Sequence, residues 1–129
     1  MGEAEDLEAA RAVLDGFMEA FNAEDAEALR TRWFHFPHVR LHSDQVSVFE
    51  RPEDLRMLVW EREGQSKDWA STRWDYVECV DIGPKKAHFR VQFTRYRADG
   101  SAIGSYKSLY IVTYREGRWG VQARSTWAA

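Results

Sequence analysis

From residue 71 onward the chain alternates apolar and polar side chains, and the alternation breaks at three places: Gly83-Pro84, Asp99-Gly100 and Glu116-Gly117. A period of two marks strands that bury one face, and Asp-Gly or Glu-Gly between such runs marks a hairpin turn. The segment predicts four antiparallel strands at roughly 71–82, 86–97, 102–115 and 118–127.

The turns then set the register. About Glu116-Gly117, Tyr114 opposes Trp119, Val112 opposes Val121 and Tyr110 opposes Ala123, so Ser108 meets Ser125 and Tyr106 meets Trp127. About Asp99-Gly100, Phe93 opposes Tyr106, Val91 opposes Ser108 and Phe89 opposes Tyr110. About Gly83-Pro84, Val80 opposes Phe89 and Glu78 opposes Val91. Cross-strand partners share a face. One face therefore gathers Trp74, Tyr76, Val80, Phe89, Val91, Phe93, Tyr110, Val112, Val121 and Trp127. The other collects Asp75, Asp81, His88, Arg90, Gln92, Lys107, Gln122 and Arg124.

Upstream the period changes. Leu7, Ala10, Leu14, Phe17 and Phe21 recur at helical spacing, with acids early, where the helix dipole favours them. Ala26, Leu29 and Trp33 mark a second, shorter helix, which Pro37 forbids from continuing. Val39 and Leu41 pair across Ser43-Asp44 with Val48 and Val46, giving a short hairpin with one apolar face. Pro52 opens a third helix through Leu55, Leu58 and Val59, stopped near Gly64. The element order is ααββαββββ, an α+β fold in one domain over residues 1–129.

Composition narrows the function. The chain is 44% hydrophobic, with six Trp, seven Phe and five Tyr, enough apolar surface for a core that also lines a cavity. A net charge of −3 without a basic stripe argues against nucleic acid. No apolar run is long enough to cross a membrane. Cys79 is the only cysteine, which excludes an internal disulfide. A cytoplasmic location is expected from that and from the acidic start Met1-Gly2-Glu3-Ala4-Glu5-Asp6.

Phe17-Met18-Glu19-Ala20-Phe21-Asn22-Ala23-Glu24-Asp25 and Leu109-Tyr110-Ile111-Val112-Thr113-Tyr114-Arg115-Glu116-Gly117-Arg118-Trp119-Gly120-Val121, in this order of elements, resemble the nuclear transport factor 2-like superfamily. The resemblance covers nearly the whole chain. It implies a cone: a strongly curved, mixed, mostly antiparallel sheet wraps around the N-terminal helices and encloses a pocket, and the outer sheet face forms a homodimer. The superfamily includes steroid isomerases, dehydratases, epoxide hydrolases and SnoaL-like cyclases, so fold alone assigns no reaction. The aspartate, tyrosine and protonated-acid set of the isomerases has no match here, nor does the Arg and Asp cluster of the epoxide hydrolases.

The candidate chemistry centres on Glu78, which this register places among apolar groups. A carboxylate so placed serves as general base or acid. The alternative is an edge-strand acid that escapes to solvent or meets an arginine. Tyr76 and Tyr110 are the matching hydroxyl donors, with His35 and His38 at the pocket mouth as donors or proton shuttles and His42 exposed on the hairpin. The three histidines are irregularly spaced with no partner acid, so no metal site is expected. Phe17, Phe21, Trp33, Trp74, Phe89, Val91, Phe93, Tyr106, Ser108, Ser125 and Trp127 are the expected pocket lining. Arg90, Gln92, Leu109, Ile111, Gln122 and Arg124 are the expected homodimer face. No dinucleotide fingerprint or phosphate loop is present, and no cofactor is expected. Two functions stand side by side. One is a small-molecule-binding domain with an apolar pocket for a small hydrophobic ligand, extending to a lyase, isomerase or cyclase of a carbonyl compound. The other is a non-catalytic sensor or dimerising scaffold.

Overall fold

The computed structural model describes residues 2–55 and 68–127. Helix α1, Glu3–Asn22, buries Ala10, Val13, Leu14, Phe17, Met18 and Ala20, with Glu3, Glu5 and Asp6 in its first turn. A single turn, α2 (Ala26–Ala28), follows, capped where Asp25 Oδ1 accepts from the Ala28 amide at 3.0 Å. A wider π-helical turn, Leu29–Trp33, continues it. The helix thus ends four residues before Pro37, and strand β1 (Phe34–His42) takes over.

Strands β2 (Gln45–Phe49), β3 (Ser71–Gly83), β4 (Lys86–Tyr96), β5 (Ala102–Arg115) and β6 (Arg118–Trp127) complete one six-stranded sheet in the order β2-β1-β6-β5-β4-β3. All neighbours are antiparallel except β1 and β6, which run parallel. The sheet is open and curved, and α1 packs across its inner face against β3, β5 and β6. Glu116 and Gly117 both take positive φ (54° and 79°), the mirror-image turn that suits the twist of a two-residue hairpin. Of the expected third helix the described residues hold one tight turn, Pro52–Asp54, with Leu55 buried behind it. Leu58, Val59, Trp60 and Gly64 lie outside the described residues.

Close to the turns, pairing follows the expected register: Val112 with Val121, Phe93 with Tyr106, Phe89 with Tyr110, Ile82 with Ala87, and Val39 with Val48. Further out, three bulges reverse it. Each adds one unpaired residue and turns the side chains beyond it to the other face. In β3, register shifts between Trp74 and Tyr76 and again between Cys79 and Asp81. The segment between them is inverted: Glu78 pairs with Arg90, Tyr76 with Gln92, and Val77 with Val91. Glu78, Tyr76 and Val80 therefore leave the inner face, which Val77 and Cys79 occupy instead.

In β6 the extra residue is Gln122. Beyond it Arg124 pairs with Tyr110, Ser125 with Leu109, and Thr126 with Ser108. Arg124 thus turns inward, away from the expected dimer face. Ser125 turns outward, and Trp127 is 76% exposed rather than lining a pocket.

One packing detail carries a prediction. Gly16 lies in α1 directly under the Trp33 indole, and a Cβ there would collide with the ring. Alanine gains up to about 1 kcal/mol of helix propensity over glycine. Overpacking against a rigid indole loses about 1–3 kcal/mol. Gly16→Ala is therefore expected to be net destabilising. A melting temperature at or above the parent value would show that Trp33 yields freely.

Candidate functional site

Inside the cone, between α1 and the inner sheet face, lies a cavity of about 110 Å³. One wall is apolar: Phe17, Met18 and Phe21 from α1, Leu29, Phe34, Leu55, Phe49 and Phe93. The other is built by the sheet from Arg40, Arg95, Arg124 and Tyr110, with Ser47, Thr72 and Thr126. Alternation puts Arg40 there, because Val39 and Leu41 on either side of it turn outward. The Gln122 bulge delivers Arg124, and Arg95 follows Phe93 by two residues on the same face of β4.

Each guanidinium is held in a way that leaves its charge in place. Arg124 donates from Nε to Nε2 of His38 at 3.1 Å and hydrogen-bonds the Tyr110 hydroxyl. Its plane lies 4.9 Å from the Phe34 ring centroid. Arg40 donates from Nη2 to Nδ1 of His42 at 2.8 Å. Arg95 lies 5.0 Å from the Tyr106 centroid and 5.6 Å from that of Phe93, and its buried Nε has no hydrogen-bond partner. Among the described residues the ion pairs are Arg51 with Glu53 and Asp54, and Arg90 with Glu78. None reaches the cavity.

Burial lowers the pKa of all three arginines, and charge repulsion adds to it for Arg40, from Arg124 and Arg95, and for Arg124, from Arg95; Arg40 falls to about 10. Arginine side chains in proteins stay protonated at neutral pH, so all three are cations. His38 is the reverse case. Its Nδ1–H donates to the Val121 carbonyl at 3.0 Å and its ring stacks on Phe34 at 4.1 Å. Burial, with Arg124 beside it, holds its pKa down to about 2, so the imidazole is neutral and Nε2 is free to accept. Burial and the three arginines lower His42 likewise. Among the described residues the site is a set of cations without carboxylate partners, two of them propped on neutral imidazoles and the third, Arg95, set against the Phe93 and Tyr106 rings.

Phe17, Phe21, Phe93 and Tyr110 line the cavity. Phe89 and Val91 are buried in the core beneath it, and Ser108 is buried against Thr126. Trp74 wedges between Phe17 and Tyr110, Tyr106 packs with Met18 and Phe93, and Trp33 covers Gly16. Glu78 and Tyr76 stand on the outer face, where Glu78 accepts from Arg90 Nη2 at 2.7 Å. His35 and His38 are buried rather than at the rim, and His35 donates from Nε2 to the Arg118 carbonyl. His42 is only partly exposed, turned toward Arg40. Arg90, Gln92, Leu109, Ile111 and Gln122 share the outer face. Among the described residues no group of three or more His, Cys, Asp or Glu could hold a metal ion, and no helix is long and apolar enough to cross a membrane.

Sequence reasoning missed the arginines. Arg95 was accessible to it, since Phe93 and Arg95 share a face in any regular strand. Arg40 was obscured because alternation gives the hairpin one apolar face without saying which face turns inward. Arg124 was hidden by the bulge.

Solved structures with the same fold are numerous, and all those named here are distant in sequence. A protein of unknown function with a cystatin-like fold from Nostoc punctiforme superposes with a TM-score of 0.76 at 14% identity, covering 100% of this chain and 94% of that one. An NTF-2-like protein of unknown function from Shewanella oneidensis gives 0.72 at 12%, covering 95% and 99%. A ketosteroid isomerase-like protein from Erwinia carotovora atroseptica gives 0.69 at 19%, covering 95% of each chain. Comparison with curated proteins finds no match. A family model described as NTF2-like protein (DUF6841) matches residues 5–126, and the chain belongs to that NTF2-like family.

Proposed function

We propose that this protein is a small-molecule-binding domain whose ligand sits in the cavity between α1 and the sheet. The observation that carries the reading is the cavity itself. At about 110 Å³ it is open space walled on one side by aromatic rings. That is somewhat smaller than the roughly 150 Å³ apolar cavity known to take up benzene, but this cavity is partly open at its mouth, so a short chain, or a single ring that extends into the opening, fits. The isomerase name of one structural neighbour belongs to that protein. The acid that sequence reasoning favoured for such chemistry, Glu78, lies outside the cavity in an ion pair with Arg90. Binding is the reading with support.

Ser47 lines the cavity from an exposed position on β2, so its replacement does not disturb the core. Screening single-ring compounds by thermal shift should yield ligands that raise the melting temperature. Ser47→Trp should weaken them at least about tenfold by obstructing the cavity. Ligands that bind Ser47→Trp unchanged would place binding elsewhere.

A second feature supports a homodimer. The hairpin of β1 and β2 turns Leu41, Val46 and Val48 outward, with Val46 64% exposed, on the face that also carries Leu109, Ile111 and Ala123. A sheet face of this kind suits a two-fold contact burying at least about 1,000 Å². Sedimentation at micromolar concentration should give a dimer, and Leu109→Glu with Val46→Glu should give a monomer. A parent protein that sediments as a monomer would refute the assembly.

A further inference from the structure

Resting on the cavity reading above, we propose that the ligand is an organic oxyanion, a carboxylate or phosphate group on a small apolar body, with its charged head on Arg40, Arg95 and Arg124. The chain as a whole is acidic, with 21 Asp and Glu against 18 Lys and Arg, yet the cavity concentrates three cations. Among the described residues no carboxylate pairs with any of them. A guanidinium kept for structure is usually paired, because an unpaired charge of reduced hydration is unfavourable. Here the partners of Arg40 and Arg124 are imidazole nitrogens, which satisfy a hydrogen bond and leave the charge uncompensated.

Arg95 goes further, since its buried Nε meets no acceptor at all. Ring faces lie against the guanidinium carbons of Arg95 and Arg124, and all three arginine side chains line the cavity. Guanidinium donors match carboxylate and phosphate oxygens in pairs. The opposite aromatic wall is suited to the apolar body. His38 and His42 act in this scheme as positioning residues.

The test is calorimetry and thermal melting of the full chain with benzoate and phenyl phosphate, set against neutral benzyl alcohol. One or both anions should bind at least about tenfold more tightly than the alcohol, the scale of one added charge-assisted hydrogen bond. The preference should shrink as salt is raised. Benzoate alone would identify a carboxylate head, and phenyl phosphate alone a phosphate head. Arg95→Met should lose the anion preference while keeping the affinity for benzyl alcohol. Without ligand it should melt no lower than the parent, because removing an unpaired cation relieves repulsion. Arg40→Met, measured in parallel, should behave the same way, so one poorly folding variant does not stop the test. Two results would overturn the inference: benzyl alcohol binding as well as the anions, or both variants melting well below the parent, which makes the guanidiniums structural. If the alcohol binds and the anions do not, the cavity reading survives alone. If no probe binds, both fall.

Discussion

Acidification from pH 7 to pH 4 should remove a large part of this protein's stability, and His38 should be the main cause. Its folded pKa of about 2 lies far below the ordinary 6.5. The unfolded chain therefore binds a proton that the native state refuses throughout that window. Stability is at its full value above about pH 6.5 and falls as pH drops, at up to about 1.4 kcal/mol per pH unit for one proton. By pH 4 the loss from His38 alone is about 3 kcal/mol, against a typical total of about 5–15 kcal/mol. The charged groups around it oppose protonation too. Arg124 donates to its Nε2 and Arg40 lies within electrostatic range, while the Val121 carbonyl on Nδ1 is the one favourable neighbour. His35 and His42 are lowered as well and act in the same direction.

Urea unfolding at pH 7, 6, 5 and 4.5 measures the slope. His38→Gln should be less stable at pH 7, yet should flatten the dependence by about one proton's worth. An unfolding free energy that is constant from pH 7 to pH 5 in the parent protein would mean that His38 titrates normally, and hence that it is not held between Arg124 and Val121.

Much of the architecture was legible before any coordinates because each hairpin turn speaks for its own neighbourhood. Gly83-Pro84, Asp99-Gly100 and Glu116-Gly117 fixed which strands pair; the expected register holds from the turn out to Asp81 and His88 in one hairpin and to Val112 and Val121 in another, while at Asp99-Gly100 it holds beyond a shift beside the turn at Arg95/Tyr96. A bulge has no comparable signature. Val80 and Gln122 are ordinary strand residues, and nothing in their type announces that the chain kinks there. Two bulges in β3 sent Glu78 and Tyr76 outward, and one in β6 brought Arg124 inward. The chemistry expected from a buried acid was thus replaced by that of buried cations.

The hairpin shows the same limit. Its alternation correctly gave the pairing of Val39 with Val48. Alternation cannot say which face is inward when the interior itself is polar. Arg40 lines the cavity and His38 is buried, while Val46 and Val48 face outward.

Phe34→Ala should be among the most damaging single substitutions in this fold, at about 3–5 kcal/mol for a buried phenylalanine truncated to alanine. Phe34 is 1% exposed at the first position of β1, where the helical segment gives way to the sheet. Its ring stacks on Phe17 at 5.6 Å and on His38 at 4.1 Å, and the Arg124 guanidinium lies over it at 4.9 Å. Three neighbours that define the cavity therefore lose a common surface at once. Phe89→Ala should lose a similar amount, since Phe89 is fully buried, but it lies beneath the cavity rather than in its wall. The two variants separate packing from site geometry. Both should show a lowered urea midpoint. Phe34→Ala should in addition enlarge the cavity and release Arg124, so that any ligand found for the parent binds it more weakly at a temperature where both variants remain folded. A loss below about 1 kcal/mol for Phe34→Ala would mean that the cavity wall collapses around the missing ring and that Phe34 does not set the shape of the site.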